Sequence, residues 1–229
     1  MNYIFDLYGT LVDIKTDESK RAPWLALCEK LGTPKIFYKR LKREYTSLCK
    51  ARQRGEYHEI ELRDVFSDIL TRRHKSADEA DNLALCFREA STEKLRLFDG
   101  VAQMLSELKE AGHGIYLVSN AQGCFTHREI EICGLTPFFD GIILSSDVGV
   151  KKPSPDIFHI AFERFALSPD ECIYVGNDMH DDILGATRVG IKSVYIHTEQ
   201  SGSYKDETLP PPTYTVKNHT ELKELLLSI

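Results

Sequence analysis

Three features are missing from this chain of 229 residues, and each absence excludes a class of protein. No hydrophobic run approaches the roughly 18 residues that a transmembrane helix needs, so we expect no membrane partner. Basic residues are not in excess, since the formal net charge is -6, which argues against general nucleic-acid binding. The six cysteines form no CxxC pair and show no metal-like spacing, so we expect reduced thiols and no structural zinc site.

The start of the chain and its composition set further expectations. The first predicted strand begins at residue 2 or 3, which leaves no room for a signal peptide, and we expect a cytoplasmic protein. With 42% hydrophobic and 28% charged residues, the chain can bury one large core, or one core plus a smaller module. The sequence leaves the oligomeric state open between monomer and homodimer.

A short stretch near the start organises the chain. Tyr3 to Phe5 are β-branched or aromatic, which predicts a buried strand, and Asp6 follows at its C-terminal end. In an open parallel sheet, ligands bind at that end of the strands. A carboxylate there, followed by Gly9, which lets the backbone close on a small anion, suits catalysis by an aspartate nucleophile. The alternative is that Asp6 only caps a turn.

The remaining chain divides into a helical part and an alternating part. Residues 15–94 show no convincing strand but four helical stretches, at 22–31, 36–54, 60–70 and 77–90. Beyond them we predict strands at 115–118, 142–144, 172–175, 193–196 and 214–216. The intervening helices are predicted at 101–111, 127–133, 155–165 and 182–189, followed by a loop at 201–212 and a last helix at 221–227.

This pattern predicts an α/β fold with a doubly wound, Rossmann-like parallel sheet. The sheet domain comprises residues 1–14 and 95–229. An all-helical domain of residues 15–94 is inserted after the first strand.

Polar residues follow two of the predicted strands. Ser119 and Asn120 close one strand, where a hydroxyl and an amide can donate hydrogen bonds to an anionic oxygen. Individually, a helix N-cap explains them equally well. Lys151 and Lys152 follow the next strand in a loop held by prolines, and one lysine could neutralise both nucleophile and substrate. A surface lysine pair is the alternative.

An acidic cluster follows the strand at 172–175. Asp178, Asp181 and Asp182 lie within five residues and repel one another unless a cation sits among them. Together with Asp6 they could supply the oxygen ligands that Mg²⁺ prefers. A solvated acidic turn is the weaker alternative, because the cluster recurs at the same end of the sheet as Asp6.

These motifs together resemble the haloacid dehalogenase (HAD) superfamily of hydrolases, over the whole chain. The stretch from Asp6 to Thr10 resembles the first motif, whose leading aspartate is the nucleophile. Ser119 resembles the second motif, Lys152 before a proline resembles the third, and residues 176–182 resemble the acidic fourth. The helical insert resembles the four-helix cap that covers the active site in that family.

Tyr8 is the clearest departure from the family's phosphatases, which carry a second aspartate at this position as acid and base. A phenol is a poor base at neutral pH. Tyrosine here resembles the 2-haloacid dehalogenases, which need no metal because a halide leaves without a proton. Against that reading, Asp178 and Asp182 keep the metal-binding spacing, Asn177 stands where the dehalogenases carry serine, and Phe158 stands where they carry tyrosine. The candidates for their carboxylate-binding arginine are residues 39 and 40.

Three functions therefore stay open. The favoured one is Mg²⁺-dependent hydrolysis of a small phosphate ester through an aspartyl-phosphate. The alternatives are a 2-haloacid dehalogenase and a weakly active or non-catalytic protein that binds a phosphate ligand. The substrate is expected to be a small molecule, either a phosphorylated metabolite or a haloacid.

The resemblance also implies a set of roles for the favoured reading. Metal ligands would be Asp6, Asp178 and the Tyr8 carbonyl, with Asp182 in direct or indirect support. Catalytic residues would be Asp6, Tyr8 and Lys152. Substrate would be held by Thr10, Ser119 and Asn120.

Overall fold

The computed structural model describes residues 1–202 and 208–229. Its strands are β1 (Asn2–Phe5), β2 (Val12–Thr16), β3 (Thr92–Leu97), β4 (Gly114–Ser119), β5 (Gly141–Leu144), β6 (Cys172–Gly176), β7 (Lys192–Ile196) and β8 (Tyr214–Val216). Its helices are α1 (Arg21–Lys30), α2 (Tyr38–Arg52), α3 (Leu62–Thr71), α4 (Ala80–Ser91), α5 (Val101–Glu110), α6 (Gly123–Ile132), α7 (Ser145–Val148), α8 (Pro155–Phe165), α9 (Gly185–Arg188) and α10 (His219–Ser228).

Six strands form one parallel sheet in the order β5-β4-β1-β6-β7-β8. The central strand β1 is buried on both faces, because Tyr3 and Phe5 pack with α5 and α10 while Ile4 packs with α8 on the other side. The predicted α/β fold with a parallel sheet is confirmed. Since β1, β4 and β6 are parallel neighbours, their C-terminal ends bring three of the predicted motifs to one edge.

The helical insert has a hydrophobic cluster separate from those on the sheet, and Phe125 of α6 packs into it. Helices α1 to α4 enclose a cluster of aromatic rings from Trp24, Tyr45, Phe66 and Phe87, with ring centres 4.9 to 5.8 Å apart. Such tilted and edge-on contacts stabilise a cluster beyond its area of burial. The boundaries of a separate domain at residues 15 and 94 stay a prediction.

The chain enters and leaves the insert through an antiparallel ribbon that the sequence did not reveal. Strand β2 pairs with β3, so the expectation of no strand between residues 15 and 94 is wrong at both ends of that range. The ribbon was missed because its strands carry charged side chains: Lys94 and Arg96 of β3 both pair with Asp13 of β2. The alternate residues, Val12, Ile14, Leu95 and Leu97, pack against the core, so apolar and charged side chains alternate and no continuous hydrophobic run marks the two strands.

Two helical segments begin earlier than predicted, although the α-helical part of the second, α9, begins only at Gly185. The predicted helix 127–133 starts at Gly123, and the predicted helix 182–189 is preceded by a π-helical segment, Met179–Leu184. Part of the predicted loop 201–212, residues 203–207, lies outside the described residues. Within residues 1–202 and 208–229, no helix has the length and apolar character needed to span a membrane.

Candidate active site

The loop after β1 carries the predicted nucleophile. The Asp6 amide still donates to Val175 O at 2.9 Å, so Asp6 leaves the sheet held by the neighbouring strand. Gly9 has a φ of +83°, and a Cβ there would lie 2.6 Å from Asn177 Nδ2, so only glycine fits without strain. The Thr10 hydroxyl donates to Asn177 Oδ1 at 3.0 Å. The loop is thereby fixed to the segment that follows β6.

Asp6 has one fully engaged oxygen and one that is largely available. Its Oδ1 accepts hydrogen bonds from Ser119 Oγ at 2.9 Å and from Lys152 Nζ at 2.7 Å. Its Oδ2 lies 3.5 Å from Thr10 Oγ1, a weak contact. The side chain is nearly buried, with the residue 7% exposed. A carboxylate held rigidly by one oxygen, with lone pairs free on the other, is suited to nucleophilic or metal-binding roles.

Lys152 is the buried cation of the site, at 2% exposure. Besides Asp6, its Nζ donates to Asp182 Oδ1 at 2.6 Å and to Tyr174 Oη at 2.7 Å, so all three ammonium protons have acceptors. Burial opposes its charge, but the carboxylates of Asp182 and Asp6 outweigh that effect and raise its pKa. Lys152 therefore stays charged at neutral pH.

Asn120 holds the lysine loop in place. Its Oδ1 accepts from the Lys152 amide at 2.8 Å, and its Nδ2 donates to Lys152 O at 3.1 Å and to Asp181 Oδ2 at 2.9 Å. The side chain that we predicted to bind substrate is thus occupied in joining three loops. Substrate binding by Asn120 stays a prediction, but its contacts are those of a scaffold residue.

The acidic loop splits its carboxylates between two tasks. Asp178 Oδ1 caps the following helical turn by accepting from the amides of His180 and Asp181 at 2.8 and 2.7 Å. Asp182 accepts from the Asp178 amide at 2.9 Å with one oxygen and from Lys152 and Tyr174 with the other. Burial raises the pKa of the Asp182 carboxyl, and the Lys152 ammonium counteracts that rise. These contacts fit the indirect role for Asp182, as the support of Lys152.

These side chains enclose one cavity of about 190 Å³. Its lining is Asp6, Tyr8, Ser119, Asn120, Lys152, Asn177, Asp178, Asp181 and Asp182. Four carboxylates thus face a single ammonium group. No group of three or more His, Cys, Asp or Glu within residues 1–202 and 208–229 is arranged to hold a metal. Mg²⁺, however, commonly takes one or two carboxylates and completes its shell with water and substrate oxygens, so Asp6 and Asp178 fit it chemically.

Comparison with known proteins identifies the family to which the chain belongs. A family model described as haloacid dehalogenase-like hydrolase matches residues 2–190. The chain belongs to this family. It is therefore a HAD-like hydrolase, as the motifs predicted.

Several relatives are named as phosphatases. One is an N-acylneuraminate-9-phosphatase of Mus musculus, 28% identical over 150 residues that make up 66% of this chain and 60% of that protein. The chain is similar to a glyceraldehyde 3-phosphate phosphatase of Methanothermobacter thermautotrophicus, with 30% identity over 134 residues. That alignment covers 58% of this chain and 59% of the relative, so the match spans about three fifths of the relative's length.

Two solved structures share the fold of this chain. The HAD-hydrolase YfnB of Bacillus subtilis bound to magnesium has a TM-score of 0.59 at 23% identity, covering 99% of this chain and 98% of that one. A 2-haloacid dehalogenase from Pseudomonas syringae pv. Tomato has a TM-score of 0.68 at 21% identity, covering 99% and 97%. At such identities the likeness shows the fold alone.

Tyr8 is one of the residues that line the cavity of this HAD-like hydrolase, and its hydroxyl points to α6. The phenol donates to Glu129 and lies 2.9 Å from Thr126 Oγ1. Burial, and then the charge of Glu129, raise the pKa of the phenol. Tyr8 is accordingly unsuited to act as a base, and its hydroxyl is held away from Asp6.

The structure gives positions and contacts to three residues that received no role in the predicted site, of which Tyr174 had not been singled out at all. Asn177 fixes the nucleophile loop and lines the cavity, and a polar residue at the end of β6 was a usable signal for it. Tyr174 lies inside β6, where its ring reads as one more apolar strand residue, yet its hydroxyl contacts Lys152 and Asp182. Phe158 is fully buried against the Tyr174 ring, away from the cavity lining.

Proposed function

We propose that this HAD-like hydrolase is a Mg²⁺-dependent phosphatase that uses Asp6 as its nucleophile. The main support for this proposal is the charge of the cavity, which is lined by four carboxylates and one ammonium group. An anionic substrate meets repulsion there unless a divalent cation offsets the negative charge. A phosphate ester brings oxygens that complete the coordination of such a cation. The named phosphatase relatives support the same reading.

On this proposal each residue has a defined task. Asp6 attacks phosphorus in line, the ester oxygen departs, and the phosphoryl group stays on Asp6 as an acyl-phosphate. Lys152 and Ser119 hold Asp6 Oδ1 in a fixed direction. Asp6 and Asp178 would hold Mg²⁺, which neutralises charge between the nucleophile and the phosphate. Water then releases orthophosphate and regenerates the Asp6 carboxylate.

The size of the cavity limits what it contains. About 190 Å³ is small beside the 300–1,000 Å³ of typical ligand pockets, so it accommodates the phosphate and the adjoining end of a small metabolite. The second step is expected to be slow, because Tyr8 offers no base to the attacking water. We therefore expect the acyl-phosphate to accumulate during turnover.

Dehalogenation is the second candidate, favoured by Tyr8 in place of the acid–base aspartate. A haloacid also needs a cation for its carboxylate. Lys39 and Arg40, the candidates in the sequence, line grooves on the insert and are not part of the cavity lining. This placement favours the phosphatase.

The test is a substrate panel measured in Mg²⁺ and in EDTA. It contains p-nitrophenyl phosphate, glyceraldehyde 3-phosphate, N-acylneuraminate 9-phosphate and 2-chloropropionate. We expect orthophosphate release in Mg²⁺ only, and none from Asp6→Asn, which is isosteric. Halide release that persists in EDTA would establish the dehalogenase instead. No turnover on any member of the panel would favour the non-catalytic alternative.

A further inference from the structure

A buried ion pair joins the insert to the sheet domain beside the cavity. Arg88 of α4 and Glu129 of α6 are 9% and 6% exposed. Arg88 Nε donates to Glu129 Oε1 at 2.6 Å, and Nη2 donates to Oε2 at 3.2 Å. The burial of two charges costs free energy, which their attraction often only offsets, so stability alone is a weak reason for such a pair.

The pair also contacts the nucleophile loop, through Tyr8. Glu129 Oε2 accepts the Tyr8 hydroxyl. The Arg88 guanidinium lies 5.4 Å from the centre of the Tyr8 ring and 4.5 Å from that of Phe125. Three parts of the molecule therefore meet at Glu129: the loop after Asp6, the insert and α6.

We propose that Glu129 is a positioning residue that holds the Tyr8 ring as a wall of the catalytic cavity. Tyr8 lines a cavity of only about 190 Å³. Rotation of its ring away from α6 would carry it into the space that the transferring group must occupy. The bond to Glu129 opposes this rotation, and Arg88 keeps Glu129 in place from the side of the insert. Glu129 thus acts on substrate binding through Tyr8 and touches no reacting atom.

The proposal rests on the hydrolase site described above but not on the choice of leaving group. It predicts a specific kinetic signature. When the hydrogen bond between Tyr8 and Glu129 is removed, the Tyr8 ring competes with substrate for space in the cavity. KM should therefore rise while kcat changes little. The loss of a hydrogen bond to a charged group corresponds to a KM increase of about tenfold.

The test is a double-mutant cycle on KM, using the substrate that the wild type hydrolyses in the panel. Glu129→Gln and Tyr8→Phe should each raise KM, because each weakens or removes the same bond. Tyr8→Phe leaves the Arg88–Glu129 pair intact. It therefore tests the proposal even if Glu129→Gln folds poorly. In a Tyr8→Ala background, Glu129→Gln should have no further effect on KM, because no ring is left to position.

Glu89→Gln is the matched control. Glu89 and Arg128 form an exposed pair, 3.7 Å apart, between the same two helices without contact to Tyr8. Its removal should leave KM unchanged. An unchanged KM in Glu129→Gln, or an equal rise in the Tyr8→Ala background, would overturn the proposal.

A structural readout makes the test independent of the substrate. In a crystal structure of Glu129→Gln, the Tyr8 ring should leave its place against α6 or occupy more than one rotamer. A ring that stays where Glu129 holds it now would overturn the proposal even if no substrate were known. Failure of the phosphatase assignment alone would leave this outcome unaffected.

Discussion

Lys152 illustrates how a single charge stabilises this site. Lys152→Met would leave Asp6 and Asp182 buried without their cation, and we expect a loss of about 3 kcal/mol in the free energy of unfolding at pH 7. Urea denaturation measures it. Activity should be lost as well, because Asp6 Oδ1 loses its strongest donor.

The pH dependence of that variant follows from the sign of the shifts. In the wild type the folded pKa of Lys152 is raised, so its contribution is fully present below the unfolded value of 10.5 and is lost as the pH rises from there through the folded pKa. In Lys152→Met the Asp182 carboxyl, whose pKa is raised by burial and lowered by Lys152, loses that compensation and binds a proton more readily in the folded state. The difference between variant and wild type should therefore shrink from pH 7 to pH 5. A difference that grows in this range would contradict the assigned ion pairs.

A substitution at Tyr8 is expected to increase phosphatase activity. Tyr8→Asp places a carboxylate beside Asp6 and supplies the missing base. We expect kcat for phosphate esters to rise, by up to about 10²-fold, the low end for a positioned acid or base. Alkyl esters should gain more than aryl esters in the first step, because an alkoxide needs a proton and a phenolate hardly does. A variant that binds Mg²⁺ but gains on neither ester class would count against the phosphatase.

Single residues could be predicted from the sequence when they lie at strand ends. Asp6, Ser119 and Lys152 were predicted on that basis, and the structure brings them within hydrogen-bonding distance. Glu129 was not, because it lies in the middle of a helix, where a charged residue normally faces solvent. Its burial depends on Arg88, some forty positions away in the chain, which no local pattern relates to it.

Among the helices of the insert, one ion pair is well enough shielded to affect stability. Glu44 of α2 accepts two hydrogen bonds from Arg73, which follows α3, at 2.6 and 3.2 Å. The hydrogen bonds from Arg73 hold the pKa of Glu44 below its usual value of 4.5. A lowered carboxyl pKa contributes stability above the unfolded pKa, and this contribution is lost as the pH falls below it.

Glu44→Gln should therefore destabilise the protein by about 1 kcal/mol at neutral pH and by less below pH 4, since the pair is partly exposed. Thermal or urea unfolding at the two pH values measures the effect. Glu29→Gln is the control, because Glu29 pairs with Lys35 at the exposed surface. An equal loss in both variants, or one independent of pH, would argue against the Glu44 contact.

Elements with a strong apolar pattern could be predicted, and polar ones could not. The strand at Tyr214–Val216 was predicted to the residue, and the sheet strands within one residue at either end, because buried β-branched and aromatic residues mark them. The β2–β3 ribbon carries alternate charges and was missed. The turn after β6 starts as a π-helix, in which Ile183 N donates to Asp178 O and the Asp178 side chain caps the first turn, and periodicity shows neither contact.

The whole molecule is held together by contacts between the insert and the catalytic loops. Lys151 N donates to Tyr57 O at 2.9 Å, and Glu59 N donates to Gly149 O at 3.0 Å, so the insert is hydrogen-bonded to the backbone that leads into Lys152. Gln122 of the sheet domain accepts from Leu62 N at 2.8 Å and donates to Ile60 O at 2.8 Å. The position of the insert is thereby coupled to the geometry of the site.

Gln122→Ala should loosen this connection. We expect faster hydrogen exchange in residues 57–62 and a lower kcat, with little change in the unfolding of the sheet. Hydrogen-exchange mass spectrometry measures the first effect. Unaltered exchange in that segment would mean that the main-chain bonds alone hold the insert. The sequence could not predict this arrangement, since main-chain contacts between distant segments leave no compositional signature.

The central claim is covalent catalysis by Asp6, and an acid-quenched reaction tests it most directly. The protein is mixed with Mg²⁺ and a phosphate ester that it hydrolyses, quenched within one turnover, and mapped by peptide mass spectrometry. We expect one phosphoryl group on the peptide that contains Asp6, absent in EDTA and absent in Asp6→Asn. Steady turnover with no phosphorylated peptide, or hydrolysis by Asp6→Asn at a rate comparable to the wild type, would contradict it.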